Sequence, residues 1–511
     1  MASIGGDRRL SRIVILGGGT AGWMTAASLV NHYRNTPIAI TLVESLAIGT
    51  IGVGEATIPT LRRFYAALGM TDYDVIAATQ ASCKLGIRFN GWKREGESFI
   101  HPFGAFGHDF GGVGFHHFWN QYRDAFGLKD LDDFAMGAAL AKAGKFALPS
   151  PTIDSYTQFD WALHFDASLF ANHMRDFAKA RGVRHIDAVL KDVTLDPEKG
   201  HITSLNLDNG QSIEGDLFID CSGFQALLIG KALGVGYEDY GQWLFCDSAV
   251  AQQSERVSVP NVYTDVTARP AGWQWHIPLQ HRSGNGHVYA SAHMSDDEAI
   301  GVLADSLPGK PITEPRVIRF RPGRRAKAWE KNCIAVGLSS GFLEPLESTS
   351  IALIQTGIER LQMLLPVDGF DEMLVDEHND MAKREMERTR DFIILHYKLN
   401  QRGDSDFWKE AAAMDLPDTL QRKIDLYQRR GHFVRYRWEM FHPASWLAIY
   451  AGFDVWPDSI DPAVGQLTPA EVRSRLLHIR QEIDATVKAA PPHRAFLDHC
   501  NRLSGGHRVS A

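Results

Sequence analysis

The sequence predicts an α/β protein: a doubly wound unit on parallel strands with mixed sheets around it, followed by a mainly helical C-terminal unit. Three observations carry this prediction. A short β-branched run, Ile13-Val14-Ile15-Leu16, ends at a glycine cluster and leads into a helical pattern and a second strand-like run. A later run, Leu217-Phe218-Ile219-Asp220, again ends at a glycine turn. Beyond about residue 376 strand-like runs give way to long helical patterns. At 511 residues the chain is long enough for two or more packed units.

Taken in order, Ile13–Leu16 reads as a buried strand, Trp23–Tyr33 as a helix and Ile38–Val43 as a second strand closing at Glu44. This is a β-α-β unit. Ile202–Leu207, Asp208-Asn209-Gly210 and Gln211–Ile213 read as a hairpin with a tight turn. Leu217–Asp220 follows as a buried strand with its turn at Gly223. From Pro278 to Ile334 short strands alternate with turns, and Ile351–Leu365 is an apolar helix. Asp376–Asn400, Leu416–Gly431 and Thr468–Ala489 read as helices; Thr468, Pro469 and Glu471 form a helix-start signature. Two modules result: residues 1–375, with the segment about 85–150 on the substrate side, and residues 376–511, a helical substrate-side module.

The net charge of -8 and the lack of a basic block argue against nucleic acid as a partner. Five scattered cysteines, Cys83, Cys221, Cys246, Cys333 and Cys500, form no CxxC pair and read as reduced thiols of a cytoplasmic protein. The N-terminal apolar run is too short for a signal peptide, and no stretch approaches a membrane span. His101, His108, His116 and His117 lie in a glycine- and aromatic-rich segment, but their spacing matches no metal-ligand set, so no metal is expected.

Gly17-Gly18-Gly19-Thr20-Ala21-Gly22 fits G-x-G-x-x-G between strand and helix, with Glu44 ending the next strand. The first glycine makes the turn, the second admits a pyrophosphate and the third packs helix on strand. Thr20 and Ala21 open a helix whose N-terminus faces phosphate, and Glu44 is placed for ribose hydroxyls. Asp220 after the late strand is expected at the ribityl–pyrophosphate region. One cofactor lying across two glycine turns favours FAD over NAD.

Three stretches are more specific: Gly52-Val53-Gly54-Glu55-Ala56-Thr57-Ile58-Pro59, Trp273-Gln274-Trp275-His276-Ile277-Pro278, and Pro345-Leu346-Glu347-Ser348-Thr349. Read from the residues alone, Trp273 and Trp275 lie on one face of a strand and fit either a core or a wall beside the flavin. Lys84 would ordinarily reach solvent. Glu347 fits either a helix N-terminal carboxylate or a catalytic one. Together with the nucleotide signature the stretches resemble the flavin-dependent halogenases of the tryptophan halogenase family, from about residue 12 to 365. The helical remainder is similar in texture only.

The resemblance implies that FADH2 from a separate NAD(P)H flavin reductase, O2 and chloride or bromide yield hypohalous acid. That oxidant passes through the protein to Lys84, which hydrogen-bonds it or holds it as a haloamine. Glu347 stabilises the cationic ring, helps remove its proton and forms a charge pair with Lys84. Cofactor contacts are implied at Gly54, Glu55, Ala56, Val189, Leu338 and Ile351, and a halide site at Thr349 and Ser350, where tryptophan-specific relatives carry glycine at the latter position. Trp273 and Trp275 shield the flavin. His101, Phe103, Ser348, Phe441 and Trp446 line the substrate pocket.

The Tyr-Tyr pair with which tryptophan halogenases hold the amino-acid group is missing, and Phe407-Trp408 lies upstream of the matching region. The expected substrate is therefore a small electron-rich, indole-like aromatic other than free tryptophan. The alternatives are a flavin-dependent aromatic hydroxylase (a monooxygenase), against which Trp273, Trp275 and Lys84 argue, and a catalytically inactive flavin-binding relative, against which Lys84 and Glu347 argue. A homodimer is expected from the resemblance.

Overall fold

The computed structural model describes residues 10–47, 54–128, 130–149, 158–366 and 369–507. Residues 1–9 at the N-terminus, and Gly52 and Val53 of the first specific stretch, lie outside the described residues. The first sheet has six strands in the order Trp329–Glu330, Cys333–Ala335, Leu217–Asp220, Arg12–Leu16, Ala39–Glu44 and Arg184–Asp187. Every neighbour pair is parallel except the first. Ile13 and Ile219 are completely buried, as continuous apolar runs in a sheet covered on both faces require. The first helix starts at Thr20, three residues before the apolar pattern, because Gly19 is already its N-cap. The hairpin forms with Leu205 opposite Ile213 and Gly210 at φ +83°, and Leu190–Leu195 adds a third strand.

A second sheet of seven strands runs Arg316–Arg319, Ser248–Glu255, Arg282–Tyr289, Gly272–Pro278, Thr264–Arg269, Gly86–Asn90 and Ser98–Pro102. The start of the segment placed on the substrate side thus forms the edge of the sheet that carries Trp273 and Trp275. A three-stranded sheet joins Gly54–Ala56, Ala162–Asp166 and Ser82–Lys84, which sets Lys84 two strands from the Gly54 turn.

The helical region holds Glu372–Lys398, Asp418–Arg430 and Pro469–Ala489, close to the expected spans. Gly431 ends the second of these in the left-handed region, and Thr468 with Glu471 forms a capping box at the third. Asp406–Ala413, Pro443–Gly452 and His493–His507 are further helices that the pattern did not mark. The helix Glu372–Lys398 crosses position 376, and one buried apolar cluster runs from Ile13 to Cys500 through both expected modules. All five cysteines are free and buried, and no helix of the described residues is long and apolar enough to cross a membrane.

Gly22 joins the first strand to the first helix. A Cβ on it would lie 1.8 Å from the Gly17 carbonyl oxygen. Gly22→Val is expected to destabilise the fold by about 3 kcal/mol or more through overpacking against backbone. Gly301→Ala, a helical position open to space, is expected to leave the melting temperature unchanged or raise it slightly. Thermal unfolding of both variants checks this, and equal melting temperatures would contradict it.

Candidate active site

The C-terminal ends of the parallel strands open into a cavity of about 830 Å³. At one end Gly17, Gly18, Gly19, Thr20 and Ala21 form its floor, with Glu44 and Val189 beside them. Gly17 sits at φ +113°, and a Cβ there would meet the Cys221 carbonyl oxygen at 2.2 Å. A Cβ on Gly18 would fall 1.6 Å from Glu44 Oε2. Glu44 reaches back across the turn in this way and meets His185 Nε2 at 2.9 Å. Burial raises its carboxyl, and His185 offsets part of that rise. Gly54, Glu55, Ala56, Leu338 and Ile351 also line the cavity. At the far end stand Trp273, Trp275, Ser348 and Ser350. A group touching both ends needs the length of a dinucleotide, so the residues present fit FAD.

Two expected cofactor contacts lie elsewhere. Gly22 is not on the cavity wall; its role is the packing against Gly17. The Asp220 carboxylate is fully buried and turned away from the cavity. It accepts from the backbone N–H of Ser222 at 3.0 Å and of Leu228 and Ile229 at 2.8 Å, and from the Ser222 hydroxyl at 2.6 Å. Asp220 holds the second glycine turn in shape, and Ser222 and Gly223 present that turn to the cavity.

Trp275 has room because Gly286 stands opposite it on the neighbouring strand, where a Cβ would lie 2.0 Å from the indole. The Trp273 and Trp275 rings are 6.1 Å apart. Lys84 is completely buried and meets the cavity wall through Ser348. Its Nζ donates to the Thr57 carbonyl at 3.0 Å and to the Ser348 hydroxyl at 2.7 Å, with the Phe103 ring 5.1 Å away. Burial lowers the amine to about 7, with the charge of Glu347 opposing.

Glu347 is equally buried, but no ion pair joins it to Lys84 among the described residues. Its Oε2 accepts from His101 Nδ1 at 2.8 Å and its Oε1 from His396 Nε2 at 2.7 Å. The expected direct charge pair is therefore replaced by Ser348, which carries the lysine, next to a carboxylate held by two imidazoles. Burial pushes the Glu347 carboxyl up, but the charges and hydrogen bonds of His101 and His396 more than offset this and hold it at about 2. His396 Nδ1 also faces an acceptor, the Phe392 carbonyl, at 2.8 Å. Both ring nitrogens of His396 therefore face hydrogen-bond acceptors, which fixes the ring between Phe392 and Glu347. Sequence reasoning missed His396; the available signal was a histidine ending the apolar run Phe392–Leu395.

The peptide after Glu347 is strained. Ser348 has φ +60°, a region that non-glycine residues avoid, between the short turn Pro345–Glu347 and the helix Ser350–Leu364. This kink aims the Ser348 hydroxyl at Lys84. Thr349 is the helix N-cap, fully buried, and its hydroxyl has no partner among the described residues. His101 meets the Phe103 ring at 6.5 Å and the Phe441 ring at 6.4 Å. Phe392, also missed, stacks on Phe441 at 3.9 Å and meets Trp446 at 5.0 Å. Trp408 lies apart, packed on Trp92 and Tyr397.

The model of the tryptophan halogenase family matches residues 12–469, so the likeness extends well into the helical region, beyond residue 365. Tryptophan 6-halogenase SttH of Streptomyces toxytricini is 35% identical, with 95% of this chain and 97% of the relative covered. Among solved structures, BrvH, a flavin-dependent halogenase from Brevundimonas sp. BAL3, is 58% identical with a TM-score of 0.94, covering 97% of this chain and 100% of that one. Xcc4156, a flavin-dependent halogenase from Xanthomonas campestris, is 43% identical with a TM-score of 0.93, covering 96% and 98%.

The histidine clamp on Glu347 has a pH signature. The folded carboxyl titrates at about 2 against an ordinary 4.5. A lowered value stabilises the fold above about pH 4.5, and that stability is lost as pH falls towards 2. The contribution is on the order of 3 kcal/mol. Melting curves should show wild type ahead of Glu347→Gln at neutral pH, with the gap narrowing steadily below about pH 4.5. A gap independent of pH would contradict the ionised clamp.

Proposed function

The chain belongs to the tryptophan halogenase family of flavin-dependent enzymes, and from that premise we propose how its residues halogenate an electron-rich, indole-like aromatic other than free tryptophan. The observation that carries the reading is the pairing, across Ser348, of a buried lysine with a buried carboxylate kept charged by two histidines. Reduced FAD, when bound, supplies the electrons with which O2 and chloride or bromide become hypohalous acid.

The glycine turn at Gly17–Gly19 and the N-terminus of the helix Thr20–His32 hold the pyrophosphate, and Glu44 takes ribose hydroxyls. Thr349, with its unpartnered hydroxyl, and the N–H of Ser350 hold the halide at the opposite end. Trp273 and Trp275 keep the organic substrate off the flavin, which favours a small oxidant that travels over direct oxygen transfer. Lys84 receives that oxidant. With its amine at about 7, both the ammonium donor and the free amine are accessible near neutrality, which suits a hydrogen-bonded acid or a haloamine. Ser348 orients the amine.

An aromatic ring attacking an electrophilic halogen becomes cationic. Glu347, ionised at every working pH, stabilises that charge without reorganising. It is a weak base, but the cationic ring is a strong acid, so the same oxygen can take the ring proton. His101, Phe103, Phe441 and Trp446 sandwich the ring. The carboxylate nearest that group along the chain, Glu439, is paired with Lys423 at 2.6 Å. Glu439 is thus already engaged by a lysine and not held ready for an amino-acid ammonium, which supports a substrate other than tryptophan. The reading extends to a separate NAD(P)H flavin reductase as FADH2 source, a homodimer and a cytoplasmic setting, on the strength of family membership.

The test supplies enzyme, flavin reductase, bromide or chloride, and a panel of indoles, other aromatics and tryptophan, with product masses read for halogen isotope patterns. Halogenated indole-like products are expected; only hydroxylated products, or tryptophan as the preferred substrate, would overturn the reading. Lys84→Ala should lose halogenation by about 10²-fold or more while flavin oxidation continues. Full product yield from that variant would remove Lys84 from the chemistry. Glu347→Gln should lower kcat by about 10²-fold with KM little changed, since the charge acts in the transition state. Steady-state kinetics separate this from a mere helix cap, whose loss would leave turnover intact.

A further inference from the structure

Glu344 has no place in the chemistry above, yet it is 1% exposed. Its Oε2 accepts from Trp273 Nε1 at 2.6 Å and from the Tyr397 hydroxyl at 2.7 Å. Its Oε1 is buried without a partner among the described residues. Tyr397 also meets Cys246 Sγ at 3.7 Å. A buried carboxyl with one empty oxygen is costly, and an apolar side chain of the same size would serve packing better.

The geometry places it at a junction. Trp273 is a wall of the flavin cavity. Tyr397 follows His396 on the helix Glu372–Lys398, so consecutive residues of one helix grip both glutamates of Glu344-Pro345-Leu346-Glu347. The strained Ser348 that carries Lys84 is the next residue. One side chain therefore ties the tryptophan wall, the loop under Lys84 and the helix that clamps Glu347.

We propose that Glu344 is a positioning residue of the halogenation: through Trp273 and Tyr397 it fixes the wall against the Pro345–Thr349 loop, so that hypohalous acid formed at the flavin reaches Lys84 instead of escaping. This rests on the function proposed above. Burial raises the Glu344 carboxyl to about 7, against the hydrogen bonds of Trp273 and Tyr397. The neutral acid is thus accessible, and glutamine, whose carbonyl can accept both bonds, is a close mimic.

The test compares Glu344→Ala, Glu344→Gln and Tyr397→Phe, each loaded with FAD. It reads brominated indole formed per FADH2 oxidised, hypobromous acid caught in bulk by a soluble β-diketone scavenger, and the visible spectrum of bound FAD. Glu344→Ala should oxidise FADH2 normally, lose product yield by about tenfold or more through misplacement, release more oxidant to the scavenger and shift the flavin spectrum. Glu344→Gln should restore the yield to within about twofold, because it keeps the acceptor. Wild-type yield from Glu344→Ala, or an equal loss in Glu344→Gln, would overturn the proposal. Should Glu344→Ala fail to fold, Tyr397→Phe, which deletes one hydroxyl, decides: reduced yield supports the tether and unchanged yield overturns it. Should wild type halogenate nothing in the panel, the halogenase reading fails, and the spectra still judge the tether: unshifted spectra in Glu344→Ala and Tyr397→Phe overturn it.

Discussion

Between His101 and His396 a carboxylate sits in a dry interior with both oxygens occupied. A charge taken out of water is tolerated only when its partners are in place. Those partners come from distant parts of the chain: His101 from the edge strand Ser98–Pro102, His396 from the helix Glu372–Lys398. The carboxylate itself sits on a strained turn between them. None of the three can shift without stranding the charge, so the edge of the second sheet, the helix and the turn are fixed as one body. The helical region also shares one apolar core with the sheets.

The same burial acts with opposite results on neighbouring groups. Lys84 donates to neutral acceptors, the Thr57 carbonyl and the Ser348 hydroxyl, so desolvation outweighs the opposing charge of Glu347 and its amine falls to about 7. Glu347 meets two imidazoles and is held at about 2. Both values fall, but one fall makes the neutral amine accessible while the other secures the charged carboxylate, and such a split suits divided catalytic roles. One can change its proton near neutrality, and the other keeps a fixed charge. Ser348 stands between them; a direct salt bridge would keep the lysine protonated.

Legibility in the sequence followed the range of the interactions. The β-α-β unit, the hairpin and the capped helices rest on contacts within a few residues, and these were readable to within a few positions at their ends. Glu347 stood out because its neighbours form a distinctive stretch, whereas Lys84 entered only through the family resemblance. The real partners of Glu347 were not readable: His101 is 246 positions from Glu347 and His396 is 49 positions away, and no local pattern encodes such meetings. Asp220 shows the converse. Its placement after a strand suggested a ligand contact, but the turn it ends has backbone N–H groups of its own to satisfy, and they claim the carboxylate. Phe392 looked like helix core and is also part of the aromatic group around His101, since a helix passing under a pocket buries both kinds of residue alike.

The burial of the cysteines takes on a meaning in view of what the enzyme makes. Hypohalous acids attack sulfur readily, and the thiolate is the vulnerable form. Cys83 adjoins Lys84 in the chain, and Cys221 lies on the cavity wall beside the Gly17 turn. Burial pushes all five thiols upward, Cys83, Cys246 and Cys333 well above their ordinary value. The sulfur nearest the chemistry is thereby kept protonated and screened. A catalyst that releases a disinfectant inside itself is protected by the protonation state of its own thiols, which bears on how many turnovers one molecule survives.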